Sequence, residues 1–220
     1  MGRWQREKEQ VQAAARRMAE RGLVTGTSGN VSLRIEAKGK TELLAITPSG
    51  IPHETMKPDD IVIVSFEGGT VEGTLKPSTE TSLHIGVYRA RRNVNAVFHT
   101  HSPHASALAV AGRSLPPVTE EQVVYLGGEV RCAPYALSGS DELAAAAIEA
   151  LGDRSAVLLR NHGVIGTGRD LTAAFSACEL LEATARVYLL ALGAGEAEPL
   201  PETAVAHWKA QYDRLQGPAA

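Results

Sequence analysis

An α/β fold, with helices packed on a sheet, is what this sequence predicts, and three observations carry it. Apolar residues recur at spacings of three and four in some segments and form short β-type runs in others, and the two kinds alternate along the chain. Gly and Pro punctuate the changes of period. The 220 residues, 44% hydrophobic and 21% charged, can bury one sizeable core, which excludes a disordered or collagen-like chain.

The elements follow in order. Trp4, Val11, Ala14, Ala15, Met18 and Ala19 share one helical face, and Gly22 stands where a helix of that length closes. VSLRI (31–35), LLAIT (43–47) and DIVIVSF (60–66) read as strands between turn-forming stretches. Helical spacing returns over 79–92, NAVFHTH (95–101) reads as a buried strand, and a short helix is expected over 105–111. A loop through Pro116 and Pro117 then carries Glu120 and Glu121 toward a short strand at 130–133. Next comes a helix from Ser140 or Asp141 to Leu151, closed by Gly152. AVLLRNHGVIGTG (156–168) reads as two strands broken at a turn, and a long helix runs from Asp170 to about Leu192. Residues 193–201 read as a linker to a tail helix bearing His207, Trp208 and Tyr212, so the expectation is a single domain over 1–220 with a linker and tail at 193–220.

Lys and Arg total 22 against 25 for Asp and Glu, a net charge of −3. Such a balance offers no broad positive field for a phosphate backbone, so nucleic acid is not expected as a partner. Cys132 and Cys178 lack C-x-x-C spacing and suit a reducing compartment. The N-terminus lacks the apolar run of a signal peptide, and no later run approaches the ~18 apolar residues of a membrane span. Cytoplasm is therefore the expected location, with no membrane partner.

Candidate chemistry starts with His99 and His101. Two apart on one strand, they project from the same face, so two imidazoles can grip one metal ion. His162, at the end of a strand-like run, is the natural third ligand, and three histidines leave a coordination position open, as in catalytic zinc sites. The same pattern also suits polar residues closing strand ends. His104, beyond Pro103, stands behind the ligands rather than among them. In KPSTE, residues Ser78, Thr79 and Glu80 are expected in the first turn of the following helix, where free N–H groups and hydroxyls can receive an anion; simple N-capping accounts for them equally. GTSGN (26–30) and TPSG (47–50) repeat this small, donor-rich chemistry beside strands, or serve as ordinary turns.

GTSGNVSLR, ITPSGIP, KPSTE, HTHSPH and LLRNHGVIGTG, in that order from about Leu23 to Leu192, resemble the class II aldolase/adducin family, most of all its fuculose-phosphate aldolase branch. The resemblance implies a central, mainly antiparallel β-sheet flanked by helices, in a cyclic homotetramer with active sites at subunit interfaces. It implies a metal held by His99, His101, His162 and Glu80, with Zn²⁺ favoured and Mn²⁺, Co²⁺ or Fe²⁺ able to take its place. Glu80 would double as acid/base, and Gly29, Asn30, Ser49, Gly50, Ser78 and Thr79 would bind the phosphate of a small ketose 1-phosphate. The implied reaction yields dihydroxyacetone phosphate and an aldehyde from a substrate of the fuculose-, deoxyribulose- or methylthioribulose-phosphate type. The chain departs from the branch where a tyrosine donates a proton from the neighbouring subunit: that position holds Glu120, leaving Glu120, Tyr125 or the tail residue Tyr212 as the second acid/base. Dehydration of methylthioribulose 1-phosphate, or epimerisation of a sugar phosphate, would use the same site. A non-catalytic, adducin-like binding module is the reading that retention of all three histidines and Glu80 disfavours.

Overall fold

The computed structural model describes residues 3–35 and 42–216; the outermost ends of the domain expected over 1–220, and residues 36–41, lie outside the described residues. Eight strands form one sheet: β1 (Asn30–Ile35), β2 (Leu43–Ile46), β3 (Val62–Ser65), β4 (Thr70–Glu72), β5 (Ala96–Thr100), β6 (Cys132–Ala133), β7 (Ala156–Leu159) and β8 (Gly163–Gly168), in the order β4-β3-β2-β1-β5-β8-β7-β6. Every pairing is antiparallel except β6 with β7. The sheet is thus mainly antiparallel and flanked by helices. β4 is a strand the sequence pattern did not suggest; it is short and mostly exposed, so it lacks the apolar alternation that marks the others.

The helices are α1 (Gln5–Glu20), α2 (Thr81–Ala90), α3 (Pro103–Ala111), α4 (Glu120–Leu126), α5 (Asp141–Leu151), α6 (Leu171–Ala194) and α7 (Glu202–Gln216). Helices α2 and α5 cover one face, where Leu83, Val87, Leu143 and Leu151 pack on Leu44, Val62, Val97 and Leu159. On the other face, α1 and α6 bring Val11, Met18 and Phe175 onto Val31, Ile63 and Phe98, and α3 joins α6 over β7 and β8. Phe98 and Phe175 meet edge to face with centroids 5.7 Å apart. Each such side chain contributes roughly 1.5–3 kcal/mol on leaving water. Among the described residues no helix is long and apolar enough to cross a membrane.

Three local expectations need correction. Glu120 and Glu121 do not lie in a loop but open α4, which starts because the Thr119 hydroxyl accepts from the Gln122 amide at 3.2 Å and stops at left-handed Gly127. Thr-x-x-Gln ahead of an apolar run was the start signal in the sequence. Ser78, Thr79 and Glu80 precede α2 rather than form its first turn: Glu80 is the cap position, and the Thr81 hydroxyl donates back to the Ser78 carbonyl at 2.6 Å. Helix α3 begins at Pro103, whose missing N–H is no loss at a first helical position, so His104 is helical.

Candidate metal centre and active site

Strand alternation sets which side chains share a face. On β5, Val97 packs in the α2–α5 core and Phe98 in the opposite one, so His99 and then His101 project toward α2. On neighbouring β1, Asn30 is opposite His99 in register and Ser32 opposite Val97, placing both on the same side. His162 arrives from the β7–β8 turn, where Asn161 adopts a left-handed φ of 56°.

The sheet therefore brings together the three predicted histidines. Their ring centroids lie 4.7, 4.7 and 5.3 Å apart, and their ligating atoms lie within 4.8 Å of one another. Glu80, only 4% exposed, reaches Nε2 of His99 through Oε2 and Nε2 of His162 through Oε1, each at 3.2 Å. Nδ1–H of His99 donates to the Val164 carbonyl at 3.0 Å, which leaves its Nε2 bare. Histidines that hold metals commonly use their second nitrogen in this way. That bare nitrogen faces the Glu80 carboxylate and lies 2.9 Å from Nε2 of His101. Converging lone pairs of this kind repel unless a cation or a proton lies between them, so the donor set fits a divalent ion.

Two glycines make the approach possible. A Cβ on Gly163 would come within 2.7 Å of His101 Cδ2 and 2.5 Å of the Thr100 carbonyl. Gly29 has φ near +73°, and its Cβ would stand 2.6 Å from the His99 carbonyl. Both positions exclude any larger residue because the histidine strand passes directly beneath them.

Burial opposes charge on Glu80, but His99, the Asn30 amide, His162 and the Ser138 hydroxyl outweigh it and hold the carboxyl pKa below its ordinary value. His99 is pushed down to about 3, chiefly by burial, against the pull of Glu80. Burial, with the like charge of His162, also lowers His101. Neutral imidazoles and an ionised carboxylate are the forms that bind metals.

The positions expected to hold phosphate divide into two groups. Ser49, Gly50 and Thr79 are exposed beside the cluster. Their loops are knitted together, with Ser49 N donating to the Lys76 carbonyl at 2.9 Å and Ser78 N to that of Thr47 at 3.1 Å. Buried Asn30 instead faces Glu80, donating from Nδ2 to Oε2 at 2.8 Å. The Ser78 hydroxyl accepts from Glu80 N at 3.2 Å. Gly29 serves the close crossing over His99.

Three participants were not singled out from sequence. The Ser138 hydroxyl donates to Glu80 Oε1 at 3.0 Å, and buried His53 bonds the Ser28 carbonyl at 2.9 Å, pinning the GTSGN loop. His84 bonds Asn30; its spacing of four from Glu80 on α2 was the available signal. His104 stays out of the cluster: its Nδ1 meets Glu182 Oε1 at 2.6 Å, and that carboxylate also accepts from the backbone N–H groups of His104 and Ala105 at the start of α3.

Glu120 and Tyr125 are not brought to this cluster. Tyr125, 55% exposed, lines a cavity of about 480 Å³ with Glu121, Thr167, Gly168 and Asp170, at the end of β8 opposite Gly163. Those ends are five residue steps apart along the strand, roughly 17 Å. Tyr212 is no proton donor here: it is buried, with its hydroxyl donating to the Asp153 carbonyl at 2.7 Å and lying 3.0 Å from the Ser155 hydroxyl.

A mainly antiparallel sheet that points three imidazoles and a carboxylate at one centre defines a metal-site protein of the mixed α/β class. The chain belongs to the class II aldolase and adducin family, whose profile, described as the class II aldolase and adducin N-terminal domain, matches residues 9–189. Class II aldolases use a divalent metal, and His99, His101 and His162 can hold one. Similar proteins include the 5-deoxy-D-ribulose 1-phosphate aldolase of Bacillus thuringiensis serovar kurstaki, 41% identical over 198 residues that cover 90% of this chain and 91% of that one. The 5-methylthioribulose-1-phosphate/5-deoxyribulose-1-phosphate aldolase of Rhodospirillum rubrum is 37% identical over 94% of this chain and 92% of its own. A solved L-fuculose 1-phosphate aldolase superposes with a TM-score of 0.89 at 35% identity, covering 94% of this chain and 96% of that one.

Proposed function

We propose that this protein is a zinc-dependent aldolase that cleaves a small ketose 1-phosphate, of the deoxyribulose-, methylthioribulose- or fuculose-phosphate type, into dihydroxyacetone phosphate and an aldehyde. The observation that carries the reading is the convergence of His99, His101, His162 and Glu80 beside exposed, hydroxyl-bearing loops. His99, His101 and His162 would hold a divalent ion, which would supply Lewis-acid stabilisation of negative charge on substrate oxygens as the C3–C4 bond breaks. Ser49, Gly50, Ser78 and Thr79, with the Gly29–Asn30 turn, receive the phosphate; the Asn30 amide has two N–H groups and gives one to Glu80. Leaving His99 and His162 removes contacts that hold the Glu80 pKa down, so the displaced carboxyl can carry the proton that C3 receives. A second group takes the proton of the C4 hydroxyl. Glu120, or Tyr125 in its place, fills that role from a neighbouring subunit of a cyclic homotetramer, and solvent exchange resets the pair.

The whole chain is read as one domain working in the cytoplasm, where its two free cysteines stay reduced. Metal analysis followed by a screen of ketose 1-phosphates for released dihydroxyacetone phosphate tests the reading. Product without added reductant or nucleotide supports it. Formation of a diketone phosphate with no dihydroxyacetone phosphate replaces aldol cleavage by dehydration on the same residues.

A further inference from the structure

Behind Glu80, starting at Asn30, runs a string of buried polar side chains; beyond Asn30 the proposed chemistry assigns it no part. Asn30, Ser32, His84 and Tyr88 are at most 5% exposed. Glu80, the cap of α2, and His84 and Tyr88 within that helix recur every fourth residue, and Asn30 and Ser32 alternate on the facing side of β1. The helix and strand periods thus align two polar stripes across an otherwise apolar core.

The hydrogens in this string are determined one after another. Ionised Glu80 only accepts, so the amide nitrogen of Asn30 faces it at 2.8 Å and Oδ1 faces His84. Oδ1 only accepts, so His84 Nε2, 2.6 Å away, carries a proton. Burial pushes the His84 pKa down to about 4, leaving the ring neutral near pH 7 with Nδ1 bare. Nδ1 therefore accepts from the Ser32 hydroxyl at 2.7 Å. The Ser32 oxygen in turn accepts from the Tyr88 hydroxyl at 2.7 Å. The outer end is held by packing, since Tyr88 stacks on Phe66 with centroids 5.8 Å apart.

We infer that His84 is a positioning residue: anchored by Ser32 and Tyr88, it locks the Asn30 amide with its nitrogen toward Glu80 and so sets the orientation of that carboxylate for proton transfer. An amide does not relay protons at neutral pH, so the string orients Glu80 and does not conduct to it. The inference rests on the reading of Glu80 as acid/base, and the variants separate the two.

With 5-deoxy-D-ribulose 1-phosphate as substrate, His84→Phe fills the ring's volume but removes both bonds. Its kcat should fall roughly ten- to hundred-fold, the range expected when a buried polar partner is lost, and more than KM rises, with bound metal unchanged. His84→Gln offers an N–H to Asn30 and a carbonyl to Ser32, and should recover most of that loss. In a Glu80→Gln background, His84→Phe should cost less than about three-fold, because the group it orients is already gone. Parental kcat in His84→Phe, a Gln variant no faster than the Phe variant, or full additivity with Glu80→Gln overturns the inference and leaves the acid/base reading standing. Parental kcat in Glu80→Gln alone, or a parent inert on this substrate and on L-fuculose 1-phosphate, overturns both. If His84→Phe does not fold, Ser32→Ala carries the test: kcat should fall roughly three- to ten-fold, and an unchanged kcat overturns the inference.

Discussion

The two ends of β8 are built differently. At Gly163 the central groups are tied down: His99 is bonded to Val164, Glu80 to Asn30 and Ser138, and both histidine flanks press on a glycine, while Nδ1 of His162 is buried without a partner. At Gly168 the strand opens on the 480 Å³ cavity, with Tyr125 and Leu215 largely in solvent. The first end is a preorganised site, whose bonds are in place before a ligand arrives. The second supplies shape and exposed side chains, with no such cluster among the described residues. One chain thus gathers three imidazoles that can hold a metal and the Glu80 carboxylate between them, while the helix bearing Glu120 and Tyr125 lies toward the other end.

Breaking the first end should have the largest effect. His101→Ala removes one of three imidazoles and should abolish both bound metal, measured by elemental analysis, and turnover; stoichiometric metal with normal activity would refute the site. Glu80→Gln should retain the three imidazoles and much of the metal while lowering kcat by ~10²- to 10⁴-fold, the range of a lost general acid/base. A Gln variant as fast as the parent would reduce Glu80 to a helix-start residue.

Glu120→Gln should lower turnover by about 10²-fold, the lower edge of that range, with little change in phosphate binding. Glu80→Gln and Glu120→Gln subunits, mixed, dissociated and reassociated, should regain part of the lost activity, since some sites then combine both intact carboxylates. Mixed oligomers that stay inactive while both parents remain folded and metal-loaded would place the second proton carrier within the same chain.

The smallest effect concerns stability. His84 has a folded pKa of about 4 against 6.5 for a free imidazole, lowered by burial against the opposing charge of Glu80. Above pH 6.5 neither state is protonated there and the stabilisation is complete. As pH falls from 6.5 to 4 the unfolded chain binds a proton that the folded chain refuses, so stability drops by on the order of 3 kcal/mol across that window. Thermal unfolding of the metal-free protein from pH 7.5 to 4.5 should show the melting temperature falling with acid, and His84→Gln should flatten part of that slope. Identical slopes would assign the acid sensitivity to other groups.

The strands and helices that surround the site were legible because each announces itself locally. Two-residue alternation in NAVFHTH put His99 and His101 on one face, and Ser140 with Gly152 marked both ends of α5. Helix α4 escapes the pattern because two prolines precede it, two glutamates open it, and its apolar run, VVYL, is too short within a seven-residue helix to show a period. The phosphate role of Asn30 comes from the order of the family's motifs; that its amide also faces Glu80 depends on a residue 50 positions further on, which no local pattern connects to it.

By itself the sequence determined the α/β alternation, the H-x-H face, the small-residue loops and the family, since these are written in patterns a few residues long or in motifs that keep their order. Tertiary structure alone decided that β1 and β8 flank β5, and everything at the site follows from that order. It sets Asn30 opposite His99, delivers His162 to the same point, and lets α2 lower Glu80, His84 and Tyr88 onto Asn30 and Ser32. Strand order depends on which apolar faces pack and which chain crossings close, a free-energy balance summed over the whole core. No single segment encodes that sum, so the partners of a buried carboxylate emerge only once the sheet is assembled.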